Sequence, residues 1–475
     1  MPPNSGRIVI VLPGSMPFRL MVGSGVLEKL RDRTEKSIMV ICPDERYHAE
    51  LPDSIEWREL YNPSNISSQT LIRRMVRYFT LRIESLLNIS YAGLAYRFNE
   101  ISKFRTHQYK KSMSKERKLR EELAGNFVNS RYGIPFASSG YLYRIYYAIF
   151  FRKWFIPDGF IEHFFQEEPI DLIVFWHAQN SVYRDYVQCA RVRSIPMVAA
   201  IGSWDRTTTK GPLMPGLVKA VAINQVMKSE LIKYHGVVQD LIEVVGWPQM
   251  DNYMDRLGKD KQQTIKNVFL RKYGFKSDAT LVVYAASTER LGAHEPEIAI
   301  HLAKFIREGG NEKRICLFLR PHPQDLRFKD RFSEQLKNEI INYEDASLTN
   351  LGQLAELFSA ADVVISTQGS ISLDAVAFDC PIINIAFNGN GEPPYHQSVE
   401  RYYEMDHYQP VVDSGGVAIV KSYVELDDAL MAYISDYNLH CQGRVQLRER
   451  MLEPFDGKSA DRIVDVLLNE LRVVG

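Results

Sequence analysis

The chain of 475 residues has no excess charge of either sign, because 58 Lys and Arg balance 58 Asp and Glu. A nucleic-acid partner calls for a cationic surplus, so this balance removes the electrostatic case for one. Cysteine is sparse: Cys42, Cys189, Cys316, Cys380 and Cys441 are odd in number, widely spaced and without a CxxC pair. Reduced thiols in a core are the expectation, and neither a disulfide framework nor a zinc site is. No apolar run reaches the roughly 18–20 residues of a membrane-spanning helix. The start, Met1-Pro-Pro-Asn-Ser-Gly6, has neither the cationic opening nor the long hydrophobic stretch of a secretory signal. A cytoplasmic protein is therefore expected, and the sequons at Asn65 and Asn88 carry no weight. Chemical signatures are missing too. Without GxxxxGK[ST], a convincing GxGxxG, HExxH or GxSxG, the classes that lose support are P-loop hydrolysis, dinucleotide redox chemistry, zinc proteolysis and α/β-hydrolase acyl transfer. No acidic DxD pair stands at a strand end, so neither a metal nor a cofactor is expected.

What is present is an α/β rhythm. A chain this long exceeds the size at which one core keeps growing, so two domains are expected. Continuous apolar runs, as in parallel strands covered on both faces, stand at Arg7–Leu12, Ser37–Cys42, Asp171–Trp176, Pro196–Ile201, Ala220–Asn224 and Leu241–Val245. A second series follows at Thr280–Ala285, Lys313–Leu319, Ile340–Tyr343, Asp362–Ile365 and Pro381–Ala386. Helical stretches alternate with them, among them Val182–Val192, Pro296–Glu308 and a final helix Ala460–Leu471. The highly charged stretch 255–278 marks the crossing, giving an N-terminal domain 1–255 and a C-terminal domain 256–475.

Between about 67 and 165 the rhythm breaks. Long basic helical patterns, such as His107–Leu123, lead into an aromatic stretch centred on Tyr141-Leu-Tyr-Arg-Ile-Tyr-Tyr. A helical insertion packed on the sheet fits this composition. So does peripheral contact with an anionic membrane or a lipid acceptor, since Lys and Arg mixed with Tyr and Trp suit that interface.

Polar groups gather where the strands stop, which is where an open α/β sheet places its ligand. In the second half these ends carry Ser287 and Thr288, Arg320-Pro-His322-Pro, Ser366-Thr367-Gln-Gly369-Ser370, and a loop reaching Glu392. A diphosphate needs hydroxyls, backbone N–H groups and a cation, and this set offers all three. Two prolines fix the backbone about His322. In the first half, Gly14–Arg19, His177 and the loop Gly202-Ser-Trp-Asp205-Arg-Thr-Thr-Thr follow strands. His177 and Asp205 are the candidate bases, although a histidine past a strand and an aspartate before threonines are also ordinary structural residues.

Taken in order, Val244-Val-Gly-Trp-Pro-Gln-Met-Asp251, Arg320-Pro-His-Pro323, Ser366-Thr-Gln-Gly-Ser-Ile-Ser-Leu-Asp-Ala375 and Cys380-Pro-Ile-Ile383 resemble bacterial GT-B glycosyltransferases of surface-polysaccharide assembly. They are similar as well to CDP-glycerol glycerophosphotransferases and to capsule enzymes using CMP-sugars. The resemblance, from about Asp171 to Ala460, implies two Rossmann-like domains facing across a cleft, with the helical insertion in the first. It implies a nucleotide-sugar donor on the second domain, held by Arg320, His322, Ser366, Thr367, Ser370 and Glu392, and a glycan or lipid-linked acceptor on the first. Inverting transfer would need a base on the acceptor side, and domain closure would exclude water. Gln368-Gly369 stands where some members have a second serine, so the donor's base and sugar stay open. A polyol-phosphate transferase, a non-hydrolysing sugar-nucleotide 2-epimerase and a non-catalytic glycan-binding protein remain the alternatives.

Overall fold

The computed structural model describes residues 6–61, 75, 155–178, 183–209, 213, 216–289, 292–309, 314–325, 327–336, 342–343, 351–393 and 398–474. Most of the expected insertion, 67–165, lies outside them. Its last stretch is described: Gly159–Glu167 is a helix, and Asp158 accepts the Phe160 amide at its start at 3.0 Å. That helix packs on Tyr183–Val192, with Phe165 against the ring of Tyr186.

Two compact units form, Met1–Pro248 with Lys458–Gly475, and Gln249–Gly457. The first contains β1 (Arg7–Val11), β2 (Ile38–Cys42), β3 (Glu56–Glu59), β4 (Ile170–Trp176), β5 (Met197–Ala200), β6 (Lys219–Ala222) and β7 (Ile242–Val244). They make one parallel sheet in the order β3-β2-β1-β4-β5-β6-β7. The second unit contains β8 (Thr280–Ala285), β9 (Ile315–Arg320), β10 (Asn342–Tyr343), β11 (Val363–Ser366), β12 (Ile382–Ile385) and β13 (Ala418–Val420), parallel in the order β10-β9-β8-β11-β12-β13. The central strands are rich in β-branched residues and deeply buried, as Ile8, Val9, Ile10 and Val11 of β1 show. Helices must cover both faces to bury them. In each sheet the chain builds outward from a middle strand and then reverses, so a switch point lies between β1 and β4 and another between β8 and β11.

The sequence reading puts the crossing at 255/256 and all of 256–475 in the second domain. The units divide instead at Pro248/Gln249, and the last helix, Ser459–Val474, belongs to the first. The reason is burial. Ala460, Ile463, Val464 and Leu467 are buried in the same core as Val26, Leu27 and Leu30. Burying an aliphatic side chain the size of valine or leucine stabilises by about 1.5–3 kcal/mol. Ion pairs also tie this helix to the first unit, Lys29 to Asp461 at 2.9 Å and Arg33 to Asp465 at 2.5 Å. All four partners are well exposed, so their contribution is the smaller one.

Cys42, Cys189, Cys316 and Cys380 are buried and unpaired, and burial pushes the thiols of Cys42 and Cys189 up to about 11 and about 12. Such thiols are poor nucleophiles. Among the described residues, no helix is long and apolar enough to cross a membrane.

Candidate functional site

At the switch point of the second sheet the register aligns one residue from each of four strands. Arg320 of β9 pairs with Ala285 of β8, Ala285 with Ser366 of β11, and Ser366 with Asn384 of β12. Beyond this row the chain leaves each strand, so Ser287 and Thr288, the Pro321–Asp325 turn and Thr367–Ser370 all project from one edge. The fold thus brings together eight of the nine residues singled out for the donor. Gly369 has φ 153, a conformation closed to other residues, and it turns β11 directly into the helix Ile371–Ala377.

Each segment is fixed by a specific contact. The Gln324 amide donates to His322 Nδ1 at 3.1 Å, which leaves the ring proton of a neutral His322 on Nε2. Asp325, nearly buried, is paired with Arg331 and accepts the Arg327 amide at 3.2 Å. These bonds hold the turn that carries His322.

One residue at this edge is absent from the sequence reading. Glu295, fully buried, accepts the Ser287 amide at 2.8 and 3.0 Å and the Thr367 hydroxyl at 2.8 Å. Arg331 Nη2 lies 3.7 Å from its other side and donates to the Gly292 carbonyl at 2.6 Å. Burial pushes the Glu295 carboxyl up to about 7, against the opposing pull of Thr367, the Ser287 amide and Arg331. Thr367 itself is wholly buried, with its hydroxyl directed at Glu295. In sequence, Glu295-Pro-Glu297 reads as an ordinary acidic first helical turn, which is why the signal was missed.

Glu392 is exposed on the loop after β12. That loop is anchored by Asn388, which donates to Ser398 at 2.9 Å, and by Asn390, bonded to Glu297. A cavity of about 540 Å³ opens beside Arg331 and is walled by Glu289, His294, Glu297 and Ile300. None of the donor candidates lines it, and two carboxylates in its wall oppose a diphosphate. Ser372 and Asp374, deeper in the serine-rich stretch, face inward: Ser372 meets Asn384 and Tyr408, and Asp374 accepts from Tyr253 at 2.8 Å and Gln249 at 3.1 Å.

In the first unit, His177 follows β4 at the switch point, buried and with φ 62, a backbone state few residues with a Cβ adopt. Its amide donates to the Ala200 carbonyl at 2.8 Å, and its Nδ1 accepts the Gly202 amide at 3.4 Å. Gly202 has no room for a side chain, since a Cβ would stand 2.6 Å from Trp176 Nε1. The buried Tyr183 hydroxyl donates to the Trp176 carbonyl and lies 3.4 Å from that of Val11, joining the ends of β4 and β1. Asp205 is partly exposed, accepts the Ser203 hydroxyl, and directly precedes the short helix Arg206–Thr209. Burial lowers the Arg206 guanidinium from its ordinary value, an effect that Asp205 opposes. Among the described residues, no group of three or more His, Cys, Asp or Glu is arranged to hold a metal ion.

The family model of CDP-glycerol:poly(glycerophosphate) glycerophosphotransferase matches residues 203–469, more than half of the chain. No curated protein matches. Among solved structures, the UDP complex of S. aureus MnaA is similar with a TM-score of 0.54 at 12% identity, over 98% of this chain and 97% of that one. UDP-GlcNAc 2-epimerase from Neisseria meningitidis bound to UDP-GlcNAc gives 0.52 at 12%, over 98% and 100%. A variant of the wall teichoic acid polymerase TagF gives 0.51 at 10%, over 99% and 90%. At such identities the likeness is one of fold: two Rossmann-like units of the GT-B kind.

Proposed function

Because the chain belongs to the CDP-glycerol:poly(glycerophosphate) glycerophosphotransferase family and is a GT-B transferase, we propose that it moves a sugar from a nucleotide-sugar donor to a glycan or lipid-linked acceptor of surface-polysaccharide synthesis. The observation that carries this reading is the row Arg320–Ala285–Ser366–Asn384 at the switch point, from which the donor candidates project. Arg320 supplies fixed positive charge for the departing diphosphate, and His322 Nε2–H supplies a donor. Ser287, Thr288, Ser366, Gly369 and Ser370 add hydroxyls and amides, Thr367 acts from behind them, and Glu392 reaches the donor from the next loop. No step is assigned to a metal ion.

The acceptor belongs to the first unit. Its hydroxyl must lose a proton as it attacks, and Asp205 suits that task better than His177. The lone pair of His177 Nδ1 already faces the Gly202 amide, whereas the carboxylate side chain of Asp205 is partly exposed. A lipid-linked acceptor accords with the basic and aromatic composition of 67–165, and with work at the inner face of a membrane.

A polyol phosphate in place of the sugar is the second reading, and the family match favours it. The bond broken would then be a P–O bond of the diphosphate, with CMP leaving, rather than the anomeric C–O bond. A panel of CDP-glycerol, UDP-, GDP- and CMP-sugars, read first by thermal shift and then by turnover with and without acceptor, separates the two. Acceptor-independent turnover would mark an epimerase, and binding without turnover a glycan-binding protein. Arg320→Ala and His322→Ala are each expected to lower transfer by about 10²–10³-fold. Wild-type nucleotide binding and transfer in both variants would refute the site.

A further inference from the structure

Past the paired residues Ala285 and Ser366, β8 and β11 stop being hydrogen-bonded neighbours. Their chains lead to helices Glu295–Glu308 and Ile371–Ala377, and because β8 and β11 continue in opposite directions across the sheet, right-handed crossovers send these helices to opposite faces. A crevice must open between the two strand ends, and backbone pairing cannot span it. Glu295 spans it instead, with the Ser287 amide on one side and the Thr367 hydroxyl on the other.

Stability alone is a poor reason for this carboxylate. Burying it costs more than one ion pair at 3.7 Å returns, and an apolar side chain of similar size is often the more stable choice. When ionised it also adds negative charge near a site read as holding a diphosphate. What the carboxylate supplies is geometry: both oxygens accept from the β8 end, and one of them also accepts from the β11 end. The groups facing it are Arg331 from the helix Phe328–Leu336, Asp325, Tyr284 of β8 and Tyr403. Of these only Arg331 balances its charge, and Arg331 also holds Asp325 in the His322 turn.

We propose that Glu295 is the positioning residue of the donor site, a clasp that sets the separation of the Ser287–Thr288 and Ser366–Ser370 segments and, through Arg331, the His322 turn. It does not touch the donor. The inference rests on the donor-site reading, so the test carries a separate control for that reading.

Glu295→Gln keeps the shape but loses the charge and one acceptor oxygen, while Thr367→Val keeps the shape and loses the hydroxyl. Affinity for CDP and for UDP is measured by calorimetry on the full chain, and donor KM and kcat are measured with whichever substrate of the panel turns over. Each variant is expected to weaken nucleotide binding and raise donor KM by about tenfold or more, the worth of a hydrogen bond to a charged group. Acceptor KM should stay unchanged, and the double variant should be no worse than about the weaker single one, because both remove one interaction. A merely structural Glu295 would lower the melting temperature and leave donor KM alone. That result, or additive effects in the double variant, overturns the proposal. If Glu295→Gln does not fold, Thr367→Val alone decides by the same readout. Should Arg320→Ala also leave nucleotide affinity untouched, the donor-site reading is what has failed; if only the clasp variants are silent, the clasp has failed.

Discussion

Replacing Gly202 by alanine probes how closely the first switch point is built. The added methyl would stand 2.3 Å from Leu20 Cδ1, 2.6 Å from Trp176 Nε1 and 3.4 Å from His177 Cε1. Carbon atoms prefer separations of about 3.5–4.0 Å. The leucine methyl ends a flexible side chain and can turn aside. The indole cannot, because Trp176 is buried at the end of a central strand. The segment after β5 must therefore retreat, lengthening the bond from the Gly202 amide to His177 Nδ1 that begins at 3.4 Å. Overpacking of this kind costs about 1–3 kcal/mol. In a unit of this size, about 2 kcal/mol lowers the melting temperature by roughly 4–8 °C. Scanning calorimetry should show the first unit melting earlier, and steady-state kinetics should show a raised acceptor KM. Nucleotide affinity should not move, since Gln249–Gly457 is packed as its own unit. An alanine variant melting within about 1 °C of wild type, with unchanged acceptor KM, would refute the claim that the space is closed.

Acidification should affect the two units unequally. His235 accepts the Leu213 amide at Nδ1 at 3.2 Å and bonds the Thr207 carbonyl through Nε2 at 2.8 Å, and burial lowers it from 6.5 to about 4. Its contribution is present above its unfolded value and lost as pH falls toward 4, amounting to about 2 kcal/mol by pH 5. In the second unit His294, also lowered to about 4, acts in the same direction. Glu295, raised to about 7, acts oppositely, because its favoured neutral form gains stability as pH falls from 7 toward 4.5. The first unit should thus lose melting temperature faster between pH 6.5 and 5, and His235→Gln should flatten that slope; parallel curves would contradict it. Asp374→Ala removes the acceptor of the buried Tyr253 hydroxyl and Gln249 amide, so denaturant titration should show the second unit destabilised by about 2–4 kcal/mol. Asp374→Asn, keeping one acceptor oxygen, should lose less than half of that.

The inner strands of both sheets were legible because a strand buried on both faces has to be a short, continuous apolar run rich in β-branched residues, and β1, β4, β8 and β11 all are. The edges were not. β3, Glu-Trp-Arg-Glu, is mostly exposed and reads as loop, and β13 spans only three residues. The last helix shows its apolar stripe plainly, but a stripe does not say which core it will enter; only the packing of Ile463, Val464 and Leu467 on Leu27 and Leu30 decides that. The same limit governs the site. In a parallel sheet the polar strand ends lie on one edge whatever else happens, so Ser287, Arg320 and Ser366 could be grouped from the sequence. Which side chain turns toward a ligand and which holds the edge together is set by where the following helix leaves the sheet. Glu295 and Glu297 are two residues apart in one helical turn, yet one reaches into the crevice to Thr367 while the other goes to Asn390. Their spacing alone, about 100° per residue around a helix, puts them on different faces, but nothing local tells which face meets β11. That depends on the reversal of strand order at the switch point, and the reversal is what makes a buried acid at this helix start a bridge between two strand ends.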